Sequence, residues 1–191
     1  ATELDVVGTI VGIVERDSII DGSRIEIGDA VIGIDSSGLH TNGYSLARTV
    51  FHHWDLTDRV AALGTTLGNA LLAPHRSYLP DVSRLADAGI DIRSLVHITG
   101  GGLIDNPARV LPPAMAMRLD LSSWVVPPLF TLIRSQGNID SAEMHRTFNM
   151  GLGMLVVVPQ AQAAAAVAAV GQGSRVVGDI RSITDDPVEL I

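Results

Sequence analysis

The run Asp35-Ser36-Ser37-Gly38-Leu39-His40-Thr41-Asn42-Gly43-Tyr44-Ser45 concentrates the groups that could do chemistry in this chain. Ser36, Ser37 and Thr41 offer hydroxyls, His40 an imidazole and Asn42 an amide, while Gly38 and Gly43 let the backbone approach a ligand closely. The run follows an apolar stretch, Ala30–Ile34, and precedes a helix-like segment from Tyr44. A strand, a polar loop and a helix N-terminus together make an anion cradle, because free N–H groups and the positive end of the helix dipole face the loop. The same residues would also serve as an ordinary N-cap and turn, and the residue pattern leaves both readings open.

Two further passages share this character. His97-Ile98-Thr99-Gly100-Gly101-Gly102-Leu103 again reads as strand, glycines, helix. Its glycines suit a tight turn or close ligand approach. It is neither a P-loop, lacking the terminal Lys-Ser/Thr, nor a G-x-G-x-x-G fingerprint. The third passage, His145-Arg146-Thr147-Phe148-Asn149-Met150-Gly151-Leu152-Gly153, enters a buried strand. Arg146 could pair with a phosphate or carboxylate, or tie a loop down through carbonyls. His52, His53 and His75 read as surface or packing residues, and Asp185-Asp186 as a solvated turn. No H-E-x-x-H or G-x-S-x-G occurs, so no metal ligand set is assigned.

Composition narrows the classes. The 191 residues suffice for one domain with a core, and 47% apolar content argues against disorder. No apolar run approaches a membrane span, and no secretory signal opens the sequence. A net charge of −8 disfavours nucleic acid as a partner. Cysteine is absent, which removes thiolate catalysis and cysteine-based metal sites and is compatible with a cytoplasmic location. All 13 basic residues are Arg, so phosphate charge would have to be met by Arg, backbone N–H groups or a metal.

The elements that must position these loops can be read from periodicity. Strands are predicted over 6–16, 30–34, within 90–99, and over 115–121, 153–158, 174–183 and 188–191. Helices are predicted over 44–54, 74–88 (with Pro80 kinking it or delaying its start), 103–110, 127–136, from Ser141, and over 161–170. Residues 55–69 read as a loop or short helix. Strands and helices without a strict βαβ rhythm predict an α+β layered domain. The early strand, and the absence of an initial Met, suggest a piece of a longer protein.

Ser36–Ser45, Leu71-Leu72-Ala73-Pro74, His97–Leu103, Arg109-Val110-Leu111-Pro112 and Glu143–Gly151 stand in this order along the chain. Taken together, these motifs resemble phosphoribosylformylglycinamidine cyclo-ligase, also called aminoimidazole ribonucleotide synthetase. The resemblance spans nearly the whole chain and is to the C-terminal half of that family. It implies a three-layer α/β/α domain with a mixed sheet, partly ferredoxin-like. Residues 1–15 would be the junction strand with an N-terminal half, and 16–191 the C-terminal domain. It implies an enzyme of purine biosynthesis that converts formylglycinamidine ribonucleotide to aminoimidazole ribonucleotide. In that family ATP activates the formyl oxygen as a phosphate, an internal nitrogen closes the ring, and phosphate leaves. ATP and Mg2+ would be held mostly by the other half, with the substrate in the cleft between halves and the whole enzyme a homodimer. A piece without its other half would be inactive, and its interface face apolar.

On this resemblance His40 is the catalytic candidate, for handling a proton at the ring-closing nitrogen or orienting it. Ser36, Ser37, Gly38, Thr41, Asn42, Thr99, Gly100, Gly101, Gly102, Arg146 and Asn149 are the substrate-binding candidates. The family usually has Thr where His75 stands and often Lys where Pro80 stands. Its Glu-Asn-Ile-Pro-Arg appears here as Asp105-Asn106-Pro107-Ala108-Arg109, which shifts a proline within a short helix. The alternatives are a sister enzyme of thiamine-phosphate kinase, selenophosphate synthetase or hydrogenase-maturation type, or a non-catalytic nucleotide- or partner-binding domain.

Overall fold

The computed structural model describes residues 7–191. The strand predicted over 6–16 is not seen in the described part. Residues 7–15 carry no regular structure, Arg16–Ser18 form a single 3-10 turn, and Val7, Ile10, Val11 and Ile13 are exposed. A β-branched run has strand propensity, but a strand also needs a partner for its backbone groups, and within the described residues this segment has none. Packing begins at Gly22 and Ile25.

From there the elements follow the predicted order. They are β1 (Ala30–Asp35), α1 (Tyr44–Val50), β2 (Arg59–Val60), β3 (Thr65–Thr66), α2 (Leu67–Leu71), α3 (Leu79–Asp87), β4 (Ser94–His97), α4 (Gly102–Ala108) and β5 (Met115–Leu119), then α5 (Pro128–Gly137), α6 (Ser141–Thr147), β6 (Leu152–Val158), α7 (Ala163–Val170), β7 (Ser174–Ser182) and β8 (Val188–Leu190). Helix α3 starts late, with Pro80 in its first turn, where its missing N–H is not needed. Pro107 lies in the last turn of α4, so the helix forms despite the shifted proline. The β2–β3 hairpin falls within 55–69, where the sequence reads as loop or short helix; its strands of two residues are too short to show a period.

Six strands form one mixed sheet in the order β4-β6-β1-β7-β5-β8. All neighbours are antiparallel except β5 and β8. Strand β1 is central, buried on both faces, and its side chains alternate between two cores. Ala30, Ile32 and Ile34 point into a core with Leu85 of α3 and Ala163, Ala166 and Val170 of α7. Val31 joins the larger core on the other face, with Leu103, Phe130, Ile133, Met144 and Phe148 from α4, α5, α6 and the turn after α6. Helices therefore cover both faces, which is the three-layer α/β/α arrangement within the α+β class.

One irregularity in this sheet matters for the site. Ile34 pairs with Met154, but the next residue, Asp35, pairs with Leu152. Gly153 is the extra residue, a β-bulge at the end of the central strand pair.

Candidate functional site

The Ser36–Gly43 loop leaves β1 at Asp35, and that end is tied down from several directions. The Asp35 carboxylate accepts from Arg175 through both oxygens, at 2.5 and 3.1 Å. Its carbonyl accepts from Tyr78 Oη at 3.0 Å and Arg76 Nη1 at 3.2 Å. Arg76 also pairs at 2.9 Å with Asp81, a carboxylate only 1% exposed that Arg84 holds from its other side. Burial pushes the Tyr78 hydroxyl well above its usual range, so it stays a neutral donor. Sequence reasoning misses Arg76, Tyr78 and Asp81 as site residues, because what Arg76 and Tyr78 brace lies in another part of the chain.

Within the loop the backbone is forced. Gly38 and Gly43 have φ of 150° and 74°, and His40 adopts φ of 59°, a left-handed conformation a histidine enters at a cost of roughly 1–2 kcal/mol. A Cβ on Gly43 would run into the Phe148 ring. Ser37 N–H donates to His40 Nε2 at 3.1 Å. Ser37 Oγ donates to the Pro74 carbonyl at 2.6 Å and accepts from Arg76 N–H at 3.1 Å. Among the described residues three buried side-chain polar atoms lack a hydrogen-bond partner, and two of them belong to this loop: His40 Nδ1 and Asn42 Nδ2. A buried donor without an acceptor is costly, which makes such atoms markers of a binding site. His40 is pushed down to about 4 by burial and by the positive charge His75, His97 and Arg76 would place beside it. It is therefore neutral at physiological pH. With Nε2 accepting from Ser37, the proton of the neutral ring sits on Nδ1.

The structure brings the three passages together, though with unequal roles. Asn149 is buried and acts as a bolt: its Oδ1 accepts from Ser36 Oγ and Gly151 N–H, both at 2.9 Å, and its Nδ2 donates to the Gly38 carbonyl at 2.8 Å. Gly100 is exposed and lies beside the Asn42 amide. Gly101 and Gly102 are buried. Gly102, at φ of 56°, packs on the backbone of His145 and Arg146, and its N–H closes a turn to Thr99 at 2.9 Å. Thr99 is engaged by Asn106, whose Oδ1 accepts from Thr99 N–H at 2.7 Å. Thr41 is exposed on the loop, and Arg146 is exposed with only a 3.9 Å approach to Asp105. Ser36 lines two depressions. One, of about 360 Å3, includes Asp35, Trp124, Gly151 and Arg175; the other, of about 220 Å3, includes Ser37, Gly38, Ala70 and Phe130. A larger depression, of about 590 Å3 around Arg134 and Asn138, contains none of the loop residues.

The residues do not fit a magnesium–triphosphate group. The carboxylate at the head of the loop, Asp35, is spent on Arg175, and Asp81 is spent on Arg76 and Arg84. Mg2+ is held through one or two carboxylates together with phosphate oxygens and water, and these two carboxylates are already paired. What the site offers is neutral hydrogen-bonding groups on a braced, strained loop.

A layered α/β/α domain whose three polar loops meet at one end of the central strands is the class of molecule these features define. Residues 26–185 match the family described as AIR synthase related protein, C-terminal domain, and the chain belongs to that family. It is 47% identical over 98% of its length to a phosphoribosylformylglycinamidine cyclo-ligase of Sorangium cellulosum, and 45% identical over 93% to that of Caldanaerobacter subterraneus subsp. tengcongensis. It spans 56% and 54% of those two proteins, so about half the length of the curated relatives it matches. Among solved structures, the hydrogenase maturation protein HypE in complex with ATP aligns over 89% of this chain and 47% of its own, with a TM-score of 0.57 and 19% identity. Thiamine-monophosphate kinase from Stenotrophomonas maltophilia aligns over 93% of this chain and 54% of its own, with a TM-score of 0.57 and 18% identity. These two share the fold.

Proposed function

We propose that this chain is the C-terminal half of an ATP-dependent cyclo-ligase that converts formylglycinamidine ribonucleotide to aminoimidazole ribonucleotide. The observation that carries this reading is the 40–47% identity, over 93% of the chain or more, to proteins named phosphoribosylformylglycinamidine cyclo-ligase. The HypE and thiamine-monophosphate kinase likenesses, below 20% identity, speak only to fold, so the sister-enzyme reading has weaker support.

In this reading the chain supplies one wall of the substrate cleft. The braced Ser36–Asn42 loop presents the His40 Nδ1–H and the Asn42 amide as donors, and Thr41 and Gly100 flank them. His40 is a positioning donor rather than a strong base, because its neutral ring accepts a further proton only weakly. Arg146, the exposed cation beside the glycine loop, is the candidate for substrate phosphate. Ser36, Ser37, Gly38, Thr99, Gly101, Gly102 and Asn149 shape this wall from behind. ATP, which the HypE complex holds, and Mg2+ belong on the other half, since Asp35 at the head of this loop and Asp81 of α3 are both committed to arginines. Residues 1–15 form the junction with that half. The whole protein is a homodimer in the cytoplasm.

The test is ring closure by the full-length protein, followed as aminoimidazole ribonucleotide formed from formylglycinamidine ribonucleotide and ATP. The 191-residue chain alone should be silent. Turnover of thiamine monophosphate instead, or ring closure by the chain alone, overturns the reading.

A further inference from the structure

The loop that closes on His40 also gathers two other histidines from distant parts of the sequence. His75 stacks on His40, with ring centroids 3.9 Å apart and planes 13° from parallel. His97, the last residue of β4, brings its Nε2 to 3.2 Å from His75 Nε2. One nitrogen from each of the three rings lies within 4.8 Å of the others. His40 is buried, whereas His75 and His97 are exposed.

The spacing has a chemical meaning. Two nitrogens bound to a tetrahedral zinc at about 2.0–2.1 Å stand roughly 3.3 Å apart, which is close to the separation of His75 Nε2 and His97 Nε2. Exposed rings can turn to bring a third nitrogen into range. The cluster holds no carboxylate, so it suits metals that prefer imidazole rather than Mg2+ or Ca2+. We propose that His40, His75 and His97 form a binding site for one divalent transition-metal ion, with Zn2+ as its probe ion, leaving at least one coordination position open to solvent or a ligand. The site shares His40 with the proposed cleft wall, but metal uptake itself requires no cyclo-ligase activity.

Such an ion must take a lone pair from His40, and Ser37 N–H already uses the one on Nε2. Metal binding therefore disturbs the Ser37 amide, which gives a local readout. His52 and His53 provide an internal control: their rings are also adjacent, at 3.5 Å, but they are exposed and recruit no third histidine among the described residues.

The experiment titrates the chelator-treated 191-residue chain with Zn2+ by calorimetry and with Co2+ by visible absorption, and follows Ser37 by amide NMR. We expect one high-affinity equivalent, the visible bands of low-symmetry Co2+, and a shifted Ser37 amide. His75→Gln and His97→Gln, both at exposed positions, should each weaken binding by at least about 100-fold, more than losing an outer-shell partner costs. The double variant His52→Gln/His53→Gln should bind as before. Absence of one-to-one uptake, uptake that survives His75→Gln, or an unmoved Ser37 amide at saturation overturns the proposal.

Discussion

Two loops of this chain look alike in sequence and are used differently. Both the Ser36–Gly43 loop and the Thr99–Gly102 loop leave a sheet strand, pass through glycines and enter a helix. In the second, two of three glycines are consumed by packing: Gly102 lies on the backbone of α6 and Gly101 on Asp105 and Asn106. Its polar groups are satisfied internally through Asn106. In the first, the glycines permit a turn that leaves His40 Nδ1 and Asn42 Nδ2 buried and unpartnered. Glycine content therefore does not mark the binding loop here; unmet hydrogen-bonding capacity on a braced backbone does.

Substitutions can break this contrast. The largest effect is expected at Gly102→Ala, which puts a methyl into the His145 and Arg146 backbone at a positive φ. It should cost about 4 kcal/mol, in the extreme range for a single change, and chemical denaturation reads it directly. If stability is retained, the glycine is not there for packing. Asn149→Ala strips three hydrogen bonds from the back of the first loop and should cost about 2–3 kcal/mol, with the Ser36 and Gly38 amides exchanging faster.

A pH titration comes next. Burial lowers His40, His97 and His145 below the ordinary histidine value, His40 to about 4. The unfolded chain thus takes up protons first as pH falls. Stability of the chelator-treated protein should be full above about pH 6.5 and decline as pH drops toward 4. A flat profile between about pH 7 and 5 would show that the rings are not held neutral. The smallest effect belongs to Gly100→Ala. Its Cβ meets only the Asn42 amide, 3.7 Å away, so stability should change by less than about 0.5 kcal/mol. Any loss of ring-closing activity in the full-length protein then reports on the cleft and not the fold.

Much of this architecture is legible in the residues. Strands β1 and β6 announce themselves because both are buried on each face and rich in Val and Ile or Leu. The α3 boundary and the Gly171 stop after α7 follow from proline and glycine chemistry. The resemblance also points to loops that the fold brings together. What sequence cannot supply is depth and direction. Asn149 reads as a cleft residue, but its amide faces inward and is spent on Ser36, Gly38 and Gly151. His75 reads as a surface histidine, and it is exposed, yet it stacks on a ring 35 positions earlier in the chain (75 against 40). The segment at 7–15 has strand composition without a strand partner among the described residues, and composition cannot report whether one is at hand.

The bulge at Gly153 couples these observations mechanically. Its missing side chain is the space occupied by Tyr78 Oη and His40 Cε1. Its carbonyl accepts from Ile98 N–H at 2.9 Å, next to His97. A ligand that draws the imidazole outward therefore empties the space beside the bulge, at the end of the central strand pair. The Ile98 amide is bonded to that same bulged residue. Ile98 is expected to report cleft occupancy through its backbone, readable by hydrogen exchange in a protein with two tryptophans and no cysteine to label.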